Sequence, residues 1–383
     1  MEPNTRSTAA SAGFSIAAAI LTPQDRIPRE ALAPWAARLL VSANQALANV
    51  RRTRALVSEL WFAGNNAGLI AAHRNEMQTA WRITERQVWW QGRLSRRSGD
   101  AGMAAYAVQP WVNLGRLEAL NGLCDQALAR FATLSTYEVA DRLEIGCMQV
   151  GGSGWMALWP SGREFLDYLS AVYVIDSLKA MLLNRRYDMV RPFAERVGTE
   201  SPLRWSCEEA CVVAETRTGD FAGAVARAAD AARQASGWRC AVLRLRLAEA
   251  HACAGEIERA QAILSQLAGV VKQVSPEVKA KPELMPITAR VATACHEVGL
   301  ADDACAVARE VLQGARTAND EMIQIEMLKL LANASPEHEA EEWRDAADAA
   351  VEATDYAHFR RGAPPRPNPV FDELYERLEA VYT

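Results

Sequence analysis

Long apolar runs, metal-ligand motifs and disulfide spacings are what this chain lacks. No stretch approaches the ~20 consecutive apolar residues that a membrane-spanning helix needs. The nearest, around Ala17–Leu21, is short and mostly alanine, and Glu2 and Arg6 precede it in place of a basic cluster. Neither a membrane span nor a secretory leader is expected, and the cytoplasm is the expected location. The eight cysteines form no CxxC pair and no regular framework, which argues against a disulfide scaffold or a zinc ribbon. Cys207 and Cys211 lie one helical turn apart, a spacing that could serve a metal but that two small buried hydrophobes also satisfy. HExxH is absent, and none of the five histidines follows a glutamate by three residues. Zinc-protease and di-iron chemistry are thereby excluded. Asp302-Asp303 lacks the third carboxylate of a diphosphate-binding cluster, because position 306 is alanine. No metal and no cofactor are expected.

What the 383 residues do hold is ample apolar material, 50% of the chain, for two or three domains or one elongated array. Charge is uneven. Residues 1–200 carry 22 basic and 18 acidic side chains, and the remainder carries 20 and 29. Residues 51–97 alone hold nine arginines against three glutamates, while residues 318–383 hold 15 acidic groups against six basic ones. Such polarity can orient a partner or a second copy of the chain, so a homo-oligomer is one expectation. The arginine-rich span, which includes Arg51, Arg52 and Arg54, would suit phosphate. Yet it is almost free of lysine, the overall pI is 5.7, and no DNA-reading helix-turn-helix is apparent. Nucleic acid is not an expected partner.

Helix punctuation is readable. Thr22-Pro23, Ser201-Pro202, Ser335-Pro336 and Asn368-Pro369 each set a capping side chain before a proline at a first helical position. Ser161 with Glu164 reads as a capping box. Between these marks apolar residues recur at three and four, and no strand is expected anywhere. The chain is also self-similar. Two residues after Gly122, Gly219, Gly255 and Gly299 stand Cys124, Phe221, Ile257 and Ala301; five after each stands alanine, at 127, 224, 260 and 304. Leu114, Cys211, Leu247 and Val291 stand eight before. A small residue at a fixed offset is what two helices need in order to cross closely. A further unit is expected to turn at Arg185, followed by Tyr187, Val190, Ala194 and Val197.

These offsets resemble those of the tetratricopeptide repeat. Trp111, Leu114-Gly115, Ala127 and Phe131 match the family's Trp, Leu-Gly, Ala and Phe positions within one unit, although Glu118 stands where the family has tyrosine. The resemblance covers about residues 105–355. It implies an all-α, right-handed solenoid of helical hairpins, with divergent N-terminal helices and a C-terminal capping helix. The expected organisation is a loosely held N-terminus (1–22), a Trp/Arg-rich helical section (23–104), the repeats (105–355), and a Pro-rich link with a capping helix (356–383). That last helix carries Phe371, Leu374, Leu378 and Val381 as an apolar stripe.

Nine of the 11 tryptophans precede residue 206, more than a repeat core requires there. On a helix over residues 70–97, Met77, Trp81, Glu85 (or Thr84) and Val88 would share one face, with Arg82, Arg86, Trp90, Arg93 and Arg97 on the other. Aromatic rings edged by guanidinium groups suit an anionic or aromatic small ligand, or an acidic peptide, by stacking and cation–π contact. Trp81, Glu85, Arg86, Trp89, Trp90, Arg93 and Trp111 are therefore the candidate ligand-binding residues; the competing reading packs these rings helix against helix. The Gly-rich stretch 146–162 breaks the helical pattern and reads as a flexible connection, with Gly151, Gly152 and Gly154 as backbone donors. Repeat arrays present a long groove and rarely a catalytic constellation. The expected function is a binding or scaffold protein whose groove recognises a peptide, a protein partner or a small ligand. The alternative is an all-α enzyme with its pocket in the Trp-rich half, where His73, Glu76, Glu85 and Tyr106 would be the acid–base candidates.

Overall fold

The computed structural model describes residues 65, 68, 71–72, 77–98, 101–135, 142–145, 148–151, 159, 161–275, 278, 281 and 284–353. The expected N-terminal segment, the Pro-rich link, the capping helix and the caps at Thr22-Pro23 and Asn368-Pro369 lie outside them. The described residues are all-α apart from one hairpin, and they form two compact units divided between Ala180 and Met181. Among them no helix is long and apolar enough to cross a membrane.

The N-terminal unit contains helical residues at 65, 68 and 71–72, α1 (Met77–Ser98), a 3-10 helix (Ala101–Ala107), α2 (Val108–Leu120), α3 (Cys124–Ser135) and α4 (Gly162–Leu183), inside which the division falls. α1 packs on the 3-10 helix and on α2, and α2 packs on α3. The α2–α3 hairpin closes through Gly115. A Cβ there would stand 2.5 Å from the Phe131 ring, so only glycine lets the two backbones approach around that buried phenylalanine. The Ser161 hydroxyl accepts from the Glu164 N–H at 3.2 Å and caps α4 as its spacing indicates.

One expectation fails here. Arg142–Ile145 (β1) and Met148–Gly151 (β2) form an antiparallel hairpin, pairing Leu143 with Val150 and Ile145 with Met148. The physical reason is in the sequence: apolar residues alternate at 143, 145, 148 and 150, the period of a strand. Four-residue strands are too short to stand out against helical periodicity on either side.

The C-terminal unit is a run of hairpins: α5 (Tyr187–Val197), α6 (Arg204–Thr218), α7 (Phe221–Gln234), α8 (Gly237–Cys253), α9 (Ile257–Gln273), α10 (Met285–Glu297), α11 (Ala301–Thr317), α12 (Glu321–Ala334) and α13 (Glu337–Ala353). Neighbours in sequence are neighbours in space. The first helices of successive hairpins also touch, α6 with α8, α8 with α10 and α10 with α12, and the second helices α9 and α11 do likewise. This is the packing of a helical-hairpin repeat array.

The turns explain the phase. Gly122, Gly219, Gly255 and Gly299 have φ of 80°, 86°, 81° and 84°. Gly219 directly follows its helix and the other three stand two residues past theirs, and the following N–H bonds back to a carbonyl five residues earlier: Asp220 to Glu215, Glu256 to His251, Leu300 to Cys295. That left-handed cap favours glycine because a Cβ is penalised there. Arg185, at φ 57°, makes the same turn, with Arg186 bonded back to Met181. A sixth turn, at Asn319 (φ 53°), joins α11 to α12; five residues on stands Gln324 and not alanine, so the glycine-based pattern passes over it. The alanines five residues after the four glycines are all fully buried.

Candidate functional site

The interiors of the two units differ in chemistry. The C-terminal core is built from alanine, leucine, valine and isoleucine, with Met285, Met327, Cys295 and Cys305 among them. Of the twelve buried polar or charged side chains among the described residues, ten lie in the N-terminal unit: Asn65, Thr84, Gln87, Gln91, Asn113, Arg116, Glu118, Asp176, Ser177 and Lys179. Burying such groups costs free energy unless each finds partners. Their concentration in one unit sets that unit's interior apart from the apolar packing of the other.

Four of them, Asn65, Asn113, Arg116 and Asp176, belong to one network. Arg116 on α2 donates from Nε and Nη2 to the two carboxylate oxygens of Asp176 on α4, at 3.2 and 2.8 Å. Both side chains are under one-tenth exposed. Its Nη1 donates to Asn113 Oδ1 at 3.3 Å. The same oxygen accepts from Gln109 Nε2 at 2.9 Å, and Gln109 Oε1 accepts from the Tyr168 hydroxyl at 2.7 Å. Asn113 Nδ2 then donates to Asn65 Oδ1 at 2.9 Å. Burial alone would lower the Arg116 pKa; Asp176 more than reverses this and holds the guanidinium charged. Burial pushes the Tyr168 hydroxyl well above its ordinary range, so it stays protonated and donates.

Beside the network stand buried polar atoms without a hydrogen-bond partner: Asn65 Nδ2, both amide atoms of Gln91 and the Ser177 hydroxyl. Each such group costs about 1–3 kcal/mol. Thr84, Gln87 and Gln91 recur along α1 at three and four residues, and all three are buried, so a polar stripe runs along the buried side of α1 beside the buried Ala80, Ile83, Val88 and Trp90.

The residues singled out from sequence are distributed as follows. Trp81 is half-buried against the apolar clusters of the unit, Glu85 is exposed and Arg86 is half-buried. Trp89 is 41% exposed, whereas Trp90 is fully buried; their rings meet edge-on at 4.9 Å. Grouping Trp90 with the arginine face is thus corrected. Residue 90 lies three past Gln87, on the buried side, while Arg82, Glu85 and Trp89 follow one exposed line at three and four. The Arg93 and Arg97 side chains lie outside the described residues. Trp111 is engaged locally: its Nε1 donates to Thr133 Oγ1 at 3.1 Å, and the Arg130 guanidinium stacks 4.2 Å from its ring. Arg130 also grips the buried Glu118 carboxylate through Nε at 2.8 Å and through Nη2. That pair explains why a glutamate replaces the pattern's tyrosine at position 118. Sequence reasoning missed the Arg116–Asp176 network, although a lone arginine midway through an apolar helix, and an aspartate in Val174–Ala180, were signals for it.

Other candidates resolve as structure. His251 is buried at the repeat's tyrosine position, and its Nδ1 lies 2.6 Å from Glu256 Oε2. Cys207 and Cys211 are buried thiols whose pKa values burial pushes up to about 12 and about 11, and no metal-holding cluster occurs among the described residues. Across the first helices of the C-terminal unit runs an ion-pair ladder. Arg246 bridges Glu209 and Glu249 at 2.8 and 2.7 Å, and Arg290 bridges Glu249 and Glu297 at 2.7 and 3.0 Å. Glu249 is held below the ordinary carboxylate range by Arg246 and Arg290 against the opposing effect of burial. Every rung is matched, so the ladder ties hairpin to hairpin. Of the acid–base candidates, Tyr106 is buried and Glu85 exposed; His73 and Glu76 lie outside the described residues, as do Gly152 and Gly154 of the Gly-rich connection. No protein-family model matches the chain, and no curated protein matches it.

Proposed function

We propose that this chain is a binding protein of the tetratricopeptide-like kind, in which the hairpins of the C-terminal unit are scaffold and the N-terminal unit carries recognition. The single observation behind this reading is the chemistry of the two interiors. Among the described residues the C-terminal unit buries two polar side chains, Glu209 and His251, and leaves Arg204 Nε and Glu215 Oε2 without partners, whereas the N-terminal unit buries ten, three of them with atoms lacking partners. Natural folds accept that cost where a binding partner or ligand returns it. The exposed line Arg82, Glu85 and Trp89 adds an aromatic anchor of the type enriched in recognition surfaces.

The test is retention. Protein isolated gently from its own cells is compared by native mass spectrometry with the variant Arg116→Met/Asp176→Leu, which replaces the buried pair by apolar groups. A small molecule, peptide or protein held by the wild type and lost from a variant with unchanged circular dichroism supports the reading. Equal retention by both, or none by either, overturns it.

A further inference from the structure

The outer face of α1 is as ordered as its buried one. Gln78, Arg82, Glu85 and Trp89 are all exposed. At four, three and four residues apart they fall within an arc of about 60°, opposite the buried Ala80 and Gln87. Trp89 is the one aromatic among the exposed large apolar side chains of the described residues. The buried Trp90 meets its ring edge-on, so the indole is already held where a partner would meet it and loses little freedom on docking. Elsewhere on the surface, arginines and carboxylates one turn apart pair within their own helix, as Arg163 with Asp167 and Arg191 with Glu195 do. Arg82 and Glu85 do not: among the described residues neither has an ion-pair partner.

The order of charge along this line decides what fits it. A uniformly acidic or basic partner would meet one of the two charges with its own sign. A second copy laid parallel would set Arg82 against Arg82 and Glu85 against Glu85. Laid antiparallel, with the two-fold axis midway between residues 82 and 85, it sets each Arg82 level with Glu85 of the second copy and each Trp89 level with Gln78. Helical side chains lean toward their own N-terminus, which in the antiparallel copy is the direction of the first copy's Trp89. The Arg82 guanidinium of one copy therefore reaches the gap between Glu85 and Trp89 of the other, and meets a carboxylate and an indole ring at once.

From this we infer that the outer face of α1 is a dimer contact with a second copy of the chain, in which Arg82 of each copy pairs with Glu85 and stacks on Trp89 of the other. The inference goes beyond the binding reading above, whose support is the polar interior, and names the partner of the exposed line. Residues 77–90 of the two copies overlap, about 20 Å of helix. That is less than a standard interface needs, so the dimer is weak, with a Kd on the order of 10–100 μM.

Sedimentation equilibrium of the full chain from about 5 to 500 μM tests this, with the variants Arg82→Glu, Glu85→Arg, Arg82→Glu/Glu85→Arg and Trp89→Ala. All three positions are exposed, and circular dichroism checks that each variant is folded; Arg82→Gln and Glu85→Gln stand in for a reversal that fails to fold. Wild type should dimerise. Either reversal turns two attractive contacts into two repulsive ones and should raise Kd at least about tenfold. The double variant restores opposite charges in the same register and should bind itself at least about tenfold more tightly than either single one, a recovery that a damaged fold cannot give. Trp89→Ala should raise Kd about three- to tenfold. A wild type that stays monomeric to about 500 μM, single reversals or Trp89→Ala that dimerise like wild type, or a double variant no better than the single ones would each overturn the proposal. A monomeric wild type that retains a ligand lost from Arg116→Met/Asp176→Leu sinks the dimer and leaves the binding reading standing; dimerisation with no ligand retained by either protein does the reverse.

Discussion

Removing one partner of the Arg116–Asp176 pair, and then both, gives the sharpest energetic test of the polar interior. In Asp176→Leu the guanidinium keeps its charge but loses two hydrogen bonds, of 3.2 and 2.8 Å, in a site where it is 8% exposed. Breaking a buried pair in this way costs about 3–5 kcal/mol. For a unit of this size that lowers the melting temperature by about 6–20 °C. In Arg116→Met/Asp176→Leu neither charge remains, and the cost should largely vanish or change sign. Tryptophan fluorescence is the natural probe, because Trp81, Trp89, Trp90, Trp111 and Trp159 all belong to the N-terminal unit. A single variant that melts within about 2 °C of wild type, or a double variant no more stable than the single one, would refute the reasoning.

Other outcomes follow from the same structure. Gly115→Ala should cost about 1–3 kcal/mol in denaturant melts, because the added methyl meets the Phe131 ring at 2.5 Å; a change within error would show that the α2–α3 crossing is slack. Glu249 has a folded pKa below its unfolded value of about 4.3. Its contribution is therefore fully present above that pH and is lost as pH falls through the lower folded value. Arg246→Met should accordingly flatten the acid limb of the C-terminal unit's stability curve, followed by circular dichroism from pH 7 to 3. With iodoacetamide at neutral pH, the exposed Cys253 should react first among the described cysteines, while Cys207 and Cys295, with thiols pushed up to about 12 by burial, stay unlabelled until the chain unfolds. Peptide mass mapping reads the order, and early labelling of Cys207 would contradict its burial.

How much of this was legible in the sequence follows from the range of the interactions involved. The hairpin turns are local. A left-handed residue and the alanine five positions on are set by one helix end and one crossing, so Gly122, Gly219, Gly255, Gly299 and even Arg185 could be placed from spacing. Asn319 escaped because it joins one hairpin to the next, where the alanine rule does not apply. The β-hairpin at 142–151 escaped because two four-residue alternations are a weak signal. On α1 the pattern of charge suggested an arginine face that included Trp90, yet burial follows what packs against the helix, and Gln87, Trp90 and Gln91 go inward together. The Arg116–Asp176 pair spans 60 residues. A contact of that range depends on how α2 and α4 meet, and no local spacing encodes it.

The central claim is that recognition belongs to the N-terminal unit and that the C-terminal hairpins are scaffold. Hydrogen–deuterium exchange of the full chain, with and without the small-molecule fraction of its own cells, tests that claim most directly. The account predicts new protection in α1, α2 and α4 up to Ala180, with α6–α12 unchanged. Protection confined to α6–α12, with α1 and α2 unaltered, would contradict it.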